Sequence, residues 1–140
     1  VEMIAWCRRR KLPIVVSGSA GGRTDPTQIR LRDLSRTEHD ALLALVRKKL
    51  RAEFNFPKNK DRYFGVQAVY SLENVNYPQA DGSVCGLRPQ LGADAALKLD
   101  CGVGLGAATH ITGAFAFAMV GKALELLAKP ARTGVSQTSD

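Results

Sequence analysis

The spacing of apolar positions changes several times along the chain, and each change marks a new element. Val1, Ile4, Ala5 and Leu12 fall on one helical stripe, and the basic turn from Arg8 to Lys11 suits the negative end of a helix dipole. Pro13 stops this helix. Ile14, Val15 and Val16 then form a continuous apolar run, the pattern of a short strand buried on both faces of a parallel sheet. From Gln28 to Arg32 polar and apolar residues alternate, which predicts a half-exposed strand, paired antiparallel with the first across the loop between them. Ser35 and Glu38 stand at the spacing of a capping box, so a helix is expected over 36–54 with Leu42, Leu43, Val46, Leu50 and Phe54 on its apolar stripe. GVQAVYSLE reads as a further strand, with Val66 and Ala68 facing one way and Val69 the other.

The stretch from Cys101 to Gly121 carries no Asp, Glu, Lys or Arg. Its length would span a bilayer, but its glycine-rich start favours a helix buried against a sheet, apolar on all sides. CGVGLGAATH also fits a G-x-G-x-x-A fingerprint at Gly102, Gly104 and Ala107. A dinucleotide loop follows a buried strand and opens an amphipathic helix, whereas ALKLDC before it is short and interrupted by polar residues. The context therefore argues against a phosphate loop there.

Between the first two strands lies SGSAGGRTDPTQI, where Gly18, Gly21 and Gly22 permit left-handed backbone angles and close approach of another group. Two readings stand side by side: a bend at a sheet corner, or the wall of a substrate cleft. Cys7, Cys85 and Cys101 are odd in number and form no C-x-x-C pair, which suits a reducing cytoplasm and leaves no zinc or redox dithiol pattern. His39 and His110 stand apart from any metal-ligand spacing.

With 140 residues the chain is sized for one domain. Its formal charge of +7 favours a polyanionic partner. Arg47, Lys48, Lys49 and Arg51 form a basic helix face, and Lys58, Lys60 and Arg62 extend it through a loop interleaved with Phe56, Tyr63 and Phe64. Such a face is either simply solvated or contacts phosphates; basic residues among aromatics suit RNA, whose unpaired bases stack on rings.

PIVVSGSAGGRTDPTQI, FGVQAVYSLE, YPQADGSVC and DCGVGLGAATHITGAF, in that order, resemble the C-terminal half of the tRNA threonylcarbamoyladenosine dehydratases. These belong to the ThiF, MoeB and HesA group, relatives of the ubiquitin-activating enzymes. The resemblance implies an α/β fold: the later part of a Rossmann-like ThiF/MoeB domain, a mixed sheet with a long buried C-terminal helix. Residues 1–129 would form that portion and 130–140 a flexible tail. It further implies ATP with Mg as cosubstrate, bound mainly by an N-terminal half, and dehydration of a tRNA adenosine modification through a carboxyl-adenylate. In such a reaction a tethered nucleophile reacts at high effective concentration, so the protein need supply little covalent help. A monovalent cation is compatible with the resemblance.

This chain lacks the family's G-x-G-G-V-G-S loop, carries Ala68 where some members place a cysteine, and has no C-x-x-C zinc motif. No nucleophile is assigned, and these 140 residues alone are expected to be inactive. By the resemblance, Ser19, Gly21 and Gly22 wall the substrate cleft while Asp25 and Gln28 hold the loop, and Gly102, Gly104, Gly106 and Gly113 allow close packing of the last helix. Expected partners are tRNA rather than DNA, a second copy of the chain, and a cysteine desulfurase sulfur-transfer system. The expected location is the cytoplasm, with peripheral contact to the inner membrane as a variant. The alternative function is a partner-binding or dimerisation module of a ThiF/MoeB-like enzyme.

Overall fold

The computed structural model describes residues 1–59, 61–78, 83–86 and 105–128. Helix α1 spans Glu2–Arg9, with Glu2 in its first turn and Arg8 and Arg9 in its last, the arrangement a helix dipole favours. Its buried residues are Ile4 and Ala5. Lys11 adopts φ 57°, which turns the chain out of the helix and leaves Leu12 exposed rather than on the buried stripe.

Strands β1 (Val15–Ser17), β2 (Ile29–Asp33) and β3 (Gln67–Ser71) form one mixed sheet in the order β1-β3-β2. β1 runs parallel to β3, pairing Val16 with Ala68, and β2 runs antiparallel to it, pairing Leu31 with Val69. The expected direct pairing of β1 with β2 is therefore incorrect: β3, apolar on both faces, takes the central place between them. β1 is correspondingly half-buried instead of fully enclosed. Tyr77–Pro78 (β4) and Val84–Cys85 (β5) form a separate antiparallel pair.

Helix α2 spans Ala41–Glu53 and starts later than the capping box suggests. Ser35 instead lies in a 3-10 turn, Leu34–Arg36, which is capped by Asp33: its carboxylate accepts from Ser35 N at 2.9 Å. Glu38 pairs with Arg32 at 3.5 Å. The N-cap of α2 is Asp40, which accepts from Leu43 N at 2.8 Å.

The two faces of β3 serve two apolar clusters. Val66, Ala68 and Tyr70 join Ile4, Ala5, Leu34, Leu43 and Leu50 under α1 and α2. Val69 faces the other way, against Ile111 and Phe115 of helix α3 (Thr109–Ala128). The alternation expected for this strand is what places a helical layer on each side of the sheet.

α3 departs from the expected buried helix. Only Ile111 and Phe115 are buried, while Phe117 is 80% and Leu127 77% exposed, with Val120 and Leu124 also open to solvent. Among the described residues the sheet has three strands and covers only the first turns of the helix; the remainder runs beside the edge of β1 that those residues leave unpaired. There Pro13, Ile14, Val15, Met119, Ala123 and Leu126 line an apolar cavity of about 440 Å³. Gly106 makes a close backbone contact, its carbonyl accepting from Gly22 N at 3.1 Å, although an added Cβ at Gly106 or Gly113 would meet open space. Gly102 and Gly104 lie outside the described residues. By length and composition alone, Thr109–Ala128 is apolar enough to cross a bilayer.

Candidate functional site

The connection from β1 to β2 passes over the end of the sheet, and its geometry is fixed at many points by distant residues. Gly18 N donates to Val69 O at 2.8 Å, and Ser19 N donates to Asp40 Oδ2 at 2.8 Å. Asp40 thus uses one carboxylate oxygen for the start of α2 and the other for the glycine loop. Gly18 is required by that approach, because an added Cβ would overlap the Asp40 carboxylate and lie 3.2 Å from Leu43 Cδ1.

Gly22 is the position that needs a left-handed backbone, at φ 67°. Its amide donates to Gly106 O at 3.1 Å and its carbonyl accepts from Asn76 N at 2.9 Å, so the loop bridges the segment before α3 and the segment after β3. Gly21 packs closely as well: a Cβ there would sit 3.3 Å from Leu105 O. Ser19, Gly21 and Gly22 are all half-buried and stand together in this bridge.

Beneath the loop lies Arg23, 2% exposed. Its Nη1 donates to Ser71 O at 3.1 Å and its Nη2 to His39 O at 2.7 Å, while Nε has no partner among the described residues. Burial pulls its pKa below the ordinary arginine value, and the charges of Asp40 and Glu73 oppose that pull. Glu73 accepts from Thr24 N, Thr24 Oγ1 and Asp25 N. Its own burial pushes the carboxyl up, but those bonds and the Arg23 charge outweigh it and hold the pKa below the ordinary glutamate value. Asp25 accepts from Thr27 N and Thr27 Oγ1 and from Gln28 Nε2, capping the 3-10 turn Pro26–Gln28. The bonds from Thr27 and Gln28 lower its pKa. His110 Nε2 lies 2.9 Å from Thr24 O, and the histidine is exposed. His39 precedes α2 at φ 54° rather than lying within its first turn.

The bonded amides of this loop do not form a cradle for a nucleoside triphosphate. The amides of Gly18, Ser19, Gly22 and Thr24 are bonded internally, and two carboxylates, Asp40 and Glu73, stand among them. A phosphate cradle requires free amides at a helix N-terminus. Nor is there a cluster of three or more His, Cys, Asp or Glu side chains able to hold a metal among the described residues.

The basic face separates into two groups. Arg47 Nη1 donates to Thr37 Oγ1, and Arg51 donates from Nε to Pro57 O at 3.2 Å with its Cζ 5.1 Å from the Phe64 ring centroid. Both are half-buried and tie α2 to neighbouring segments. Lys48, Lys49, Lys58 and Arg62 are exposed; Lys60 lies outside the described residues. Cys7 is a half-buried free thiol, and Cys101 lies outside the described residues.

Arg23, Asp40 and Glu73 carry the site's architecture and have no assigned role in the sequence pattern. Asp40 has a local signal, an acidic residue just before an apolar helical run. The Arg23 and Glu73 bonds join residues 16 to 49 positions apart and have no local signature.

Comparison with known proteins agrees with the resemblance seen in the sequence. No protein-family profile matches the chain. It is 44% identical over 133 residues to the tRNA threonylcarbamoyladenosine dehydratase of Escherichia coli K12, covering 94% of this chain and 49% of that protein. With the Haemophilus influenzae enzyme of the same name it is 40% identical, covering 91% of this chain and 46% of the relative. Among solved structures, TcdA (CsdL) superposes with a TM-score of 0.73 at 41% identity, covering 89% and 43% of the two chains. The Escherichia coli enzyme in complex with ATP gives 0.69 at 38% identity, covering 94% and 44%. The chain is a homologue of the tRNA threonylcarbamoyladenosine dehydratases, TcdA/CsdL, and spans about half the length of the curated relatives it matches.

Proposed function

We propose that this chain is one half of an ATP-dependent tRNA threonylcarbamoyladenosine dehydratase, supplying the substrate-side wall and the RNA-facing surface of the catalytic unit. The observation that carries this reading is 44% identity across 94% of the chain to an enzyme of that activity. ATP, with Mg, is assigned to the other half; the amides of Gly18, Ser19, Gly22 and Thr24 in the glycine loop here are engaged, with carboxylates beside them, which supports that assignment. The described residues of this chain instead offer a rigid, preorganised edge: Ser19, Gly21 and Gly22 as cleft wall, with Asp25 and Gln28 bonded to each other behind them. Holding a tethered nucleophile and an activated carboxyl in one geometry is the contribution such a wall makes.

The exposed cations Lys48, Lys49, Lys58 and Arg62 are assigned to tRNA phosphates. The apolar surface of α3 and the edge of β1 that the described residues leave uncovered favour association, with the ATP-binding half and with a second copy of the enzyme. Peripheral membrane contact and docking of a cysteine desulfurase system are further roles for that same surface, in a cytoplasmic protein. The test is genetic. In Escherichia coli lacking its own dehydratase, this chain joined to the ATP-binding half of that enzyme should restore the dehydrated nucleoside in total tRNA. A stable, soluble fusion that leaves the nucleoside unconverted would count against the assignment.

A further inference from the structure

Cations from α1 and aromatic residues from the α2–β3 connection meet in one groove that the linear sequence keeps more than 40 residues apart. Arg8, Arg9, Asn55, Phe56, Tyr63 and Phe64 are among the residues lining a cavity of about 280 Å³. Tyr63 is 66% exposed, and the Arg36 guanidinium lies over its ring with Cζ 5.0 Å from the centroid. Phe56 and Phe64 meet edge to face at 5.0 Å and form the apolar floor.

The groove is built rather than incidental. Asp33 accepts from Phe64 N at 2.9 Å, Gly65 N at 2.7 Å and Val66 N at 3.1 Å, which fixes the segment carrying the aromatics. Gly65, at φ 69°, leaves room for Arg8: an added Cβ would stand 2.9 Å from Arg8 Cζ. Asn55, also in the left-handed region at φ 56°, turns the chain after α2 to bring Phe56 underneath. Arg10, Lys58 and Arg62 are exposed nearby in sequence, and Glu2, Glu53 and Asp61 are the acidic residues of the same segments. None of them forms an ion pair among the described residues, whose two such pairs are Arg32–Glu38 and Lys122–Glu125.

We propose that this groove binds single-stranded RNA, with Tyr63 as the stacking platform for one unpaired base and Arg8 and Arg9 holding adjacent phosphates. An exposed aromatic ring backed by a guanidinium and rimmed by two more offers both parts of that recognition, a π-face and phosphate-directed donors. A volume below the roughly 300 Å³ where drug-sized pockets begin suits one base with the rest of the strand outside. The proposal rests on tRNA being the substrate and adds an anchoring site on α1, separate from the α2 lysines.

The test is tRNA binding to the 140-residue chain, followed by fluorescence anisotropy across a salt series. Tyr63→Leu should weaken binding by roughly tenfold with little change in salt slope. Arg8→Gln with Arg9→Gln should weaken it by a similar factor and reduce the slope by roughly 1.5, about 0.7–0.9 for each phosphate no longer neutralised. Arg8→Lys with Arg9→Lys should recover most of the slope. Should the double glutamine variant lose its cooperative melt, Tyr63→Leu and Arg9→Gln, both at exposed positions, decide the matter. The proposal is overturned if the unaltered chain does not bind tRNA at low salt, or if these variants bind with unchanged affinity and slope. It is equally overturned if polyglutamate displaces tRNA as well as unlabelled tRNA of equal charge does. The dehydratase reading is judged separately, by the nucleoside formed in the fused enzyme.

Discussion

Replacing Asp40 tests the anchorage of the glycine loop. Asp40→Ala removes the N-cap bond to Leu43 N and the bond to Ser19 N, both 2.8 Å, from a side chain of a residue that is 4% exposed. Losing the cap costs about 1 kcal/mol. Losing a charged acceptor from the half-buried Ser19 amide costs about 1.5 kcal/mol or more. The two act on different segments and together give a destabilisation of about 3 kcal/mol, a shift in Tm of roughly 6–12 °C for a domain of this size. Arg23 also loses one of the two carboxylates that oppose its desolvation. Asp40→Asn, which keeps one oxygen as an acceptor and turns an amide group towards the other donor, should give about half the loss. Amide hydrogen exchange separates local from global effects: Ser19 should exchange faster in Asp40→Ala under conditions where Val69 in β3 is still protected. A Tm change corresponding to less than about 0.5 kcal/mol, the range of ordinary surface substitutions, would refute the two-segment role of this carboxylate.

Three further outcomes follow from the same geometry. Gly22→Ala should destabilise by more than about 1 kcal/mol, since the new Cβ would stand 2.6 Å from the Asn76 carbonyl oxygen at φ 67°; an unchanged melting curve would show that the loop moves freely. Glu73 has a folded pKa below its unfolded one, so its contribution is complete above the ordinary glutamate range and is lost as pH falls through the depressed value. Acid titration of Glu73→Gln should therefore lack part of the wild-type drop in stability, and parallel curves would refute it. Arg47→Gln should lower Tm because its guanidinium bonds Thr37, whereas Lys48→Gln should leave Tm within about 0.5 kcal/mol equivalents; equal melting of the two would contradict the division of the basic face.

What could be read in the sequence was what depends on local period. The alternation of Val66, Ala68 and Val69 placed β3 between two apolar layers, and the clusters around it agree. The α1 stripe was legible at Ile4 and Ala5, but Leu12 escaped it through the turn at Lys11. Strand order was not legible, because alternation in β2 says which face is wet without saying which neighbour it pairs with. The α3 stretch has the composition of a core helix and so reads as buried; exposure depends on how much sheet stands opposite, and composition does not contain that. The same limit applies to the basic face. Arg47 and Arg51, one turn apart, look like Lys48 and Lys49 in sequence, yet they reach Thr37, Pro57 and Phe64 in the segments flanking their helix.

The most direct measurement is a reconstitution in vitro: this chain fused to the ATP-binding half of the Escherichia coli relative, purified, and incubated with tRNA carrying threonylcarbamoyladenosine. Mass spectrometry of the digested tRNA should show the modified nucleoside losing one water only when ATP is present. A fusion that melts cooperatively and binds both ATP and tRNA, yet returns the nucleoside unchanged, would contradict the assignment.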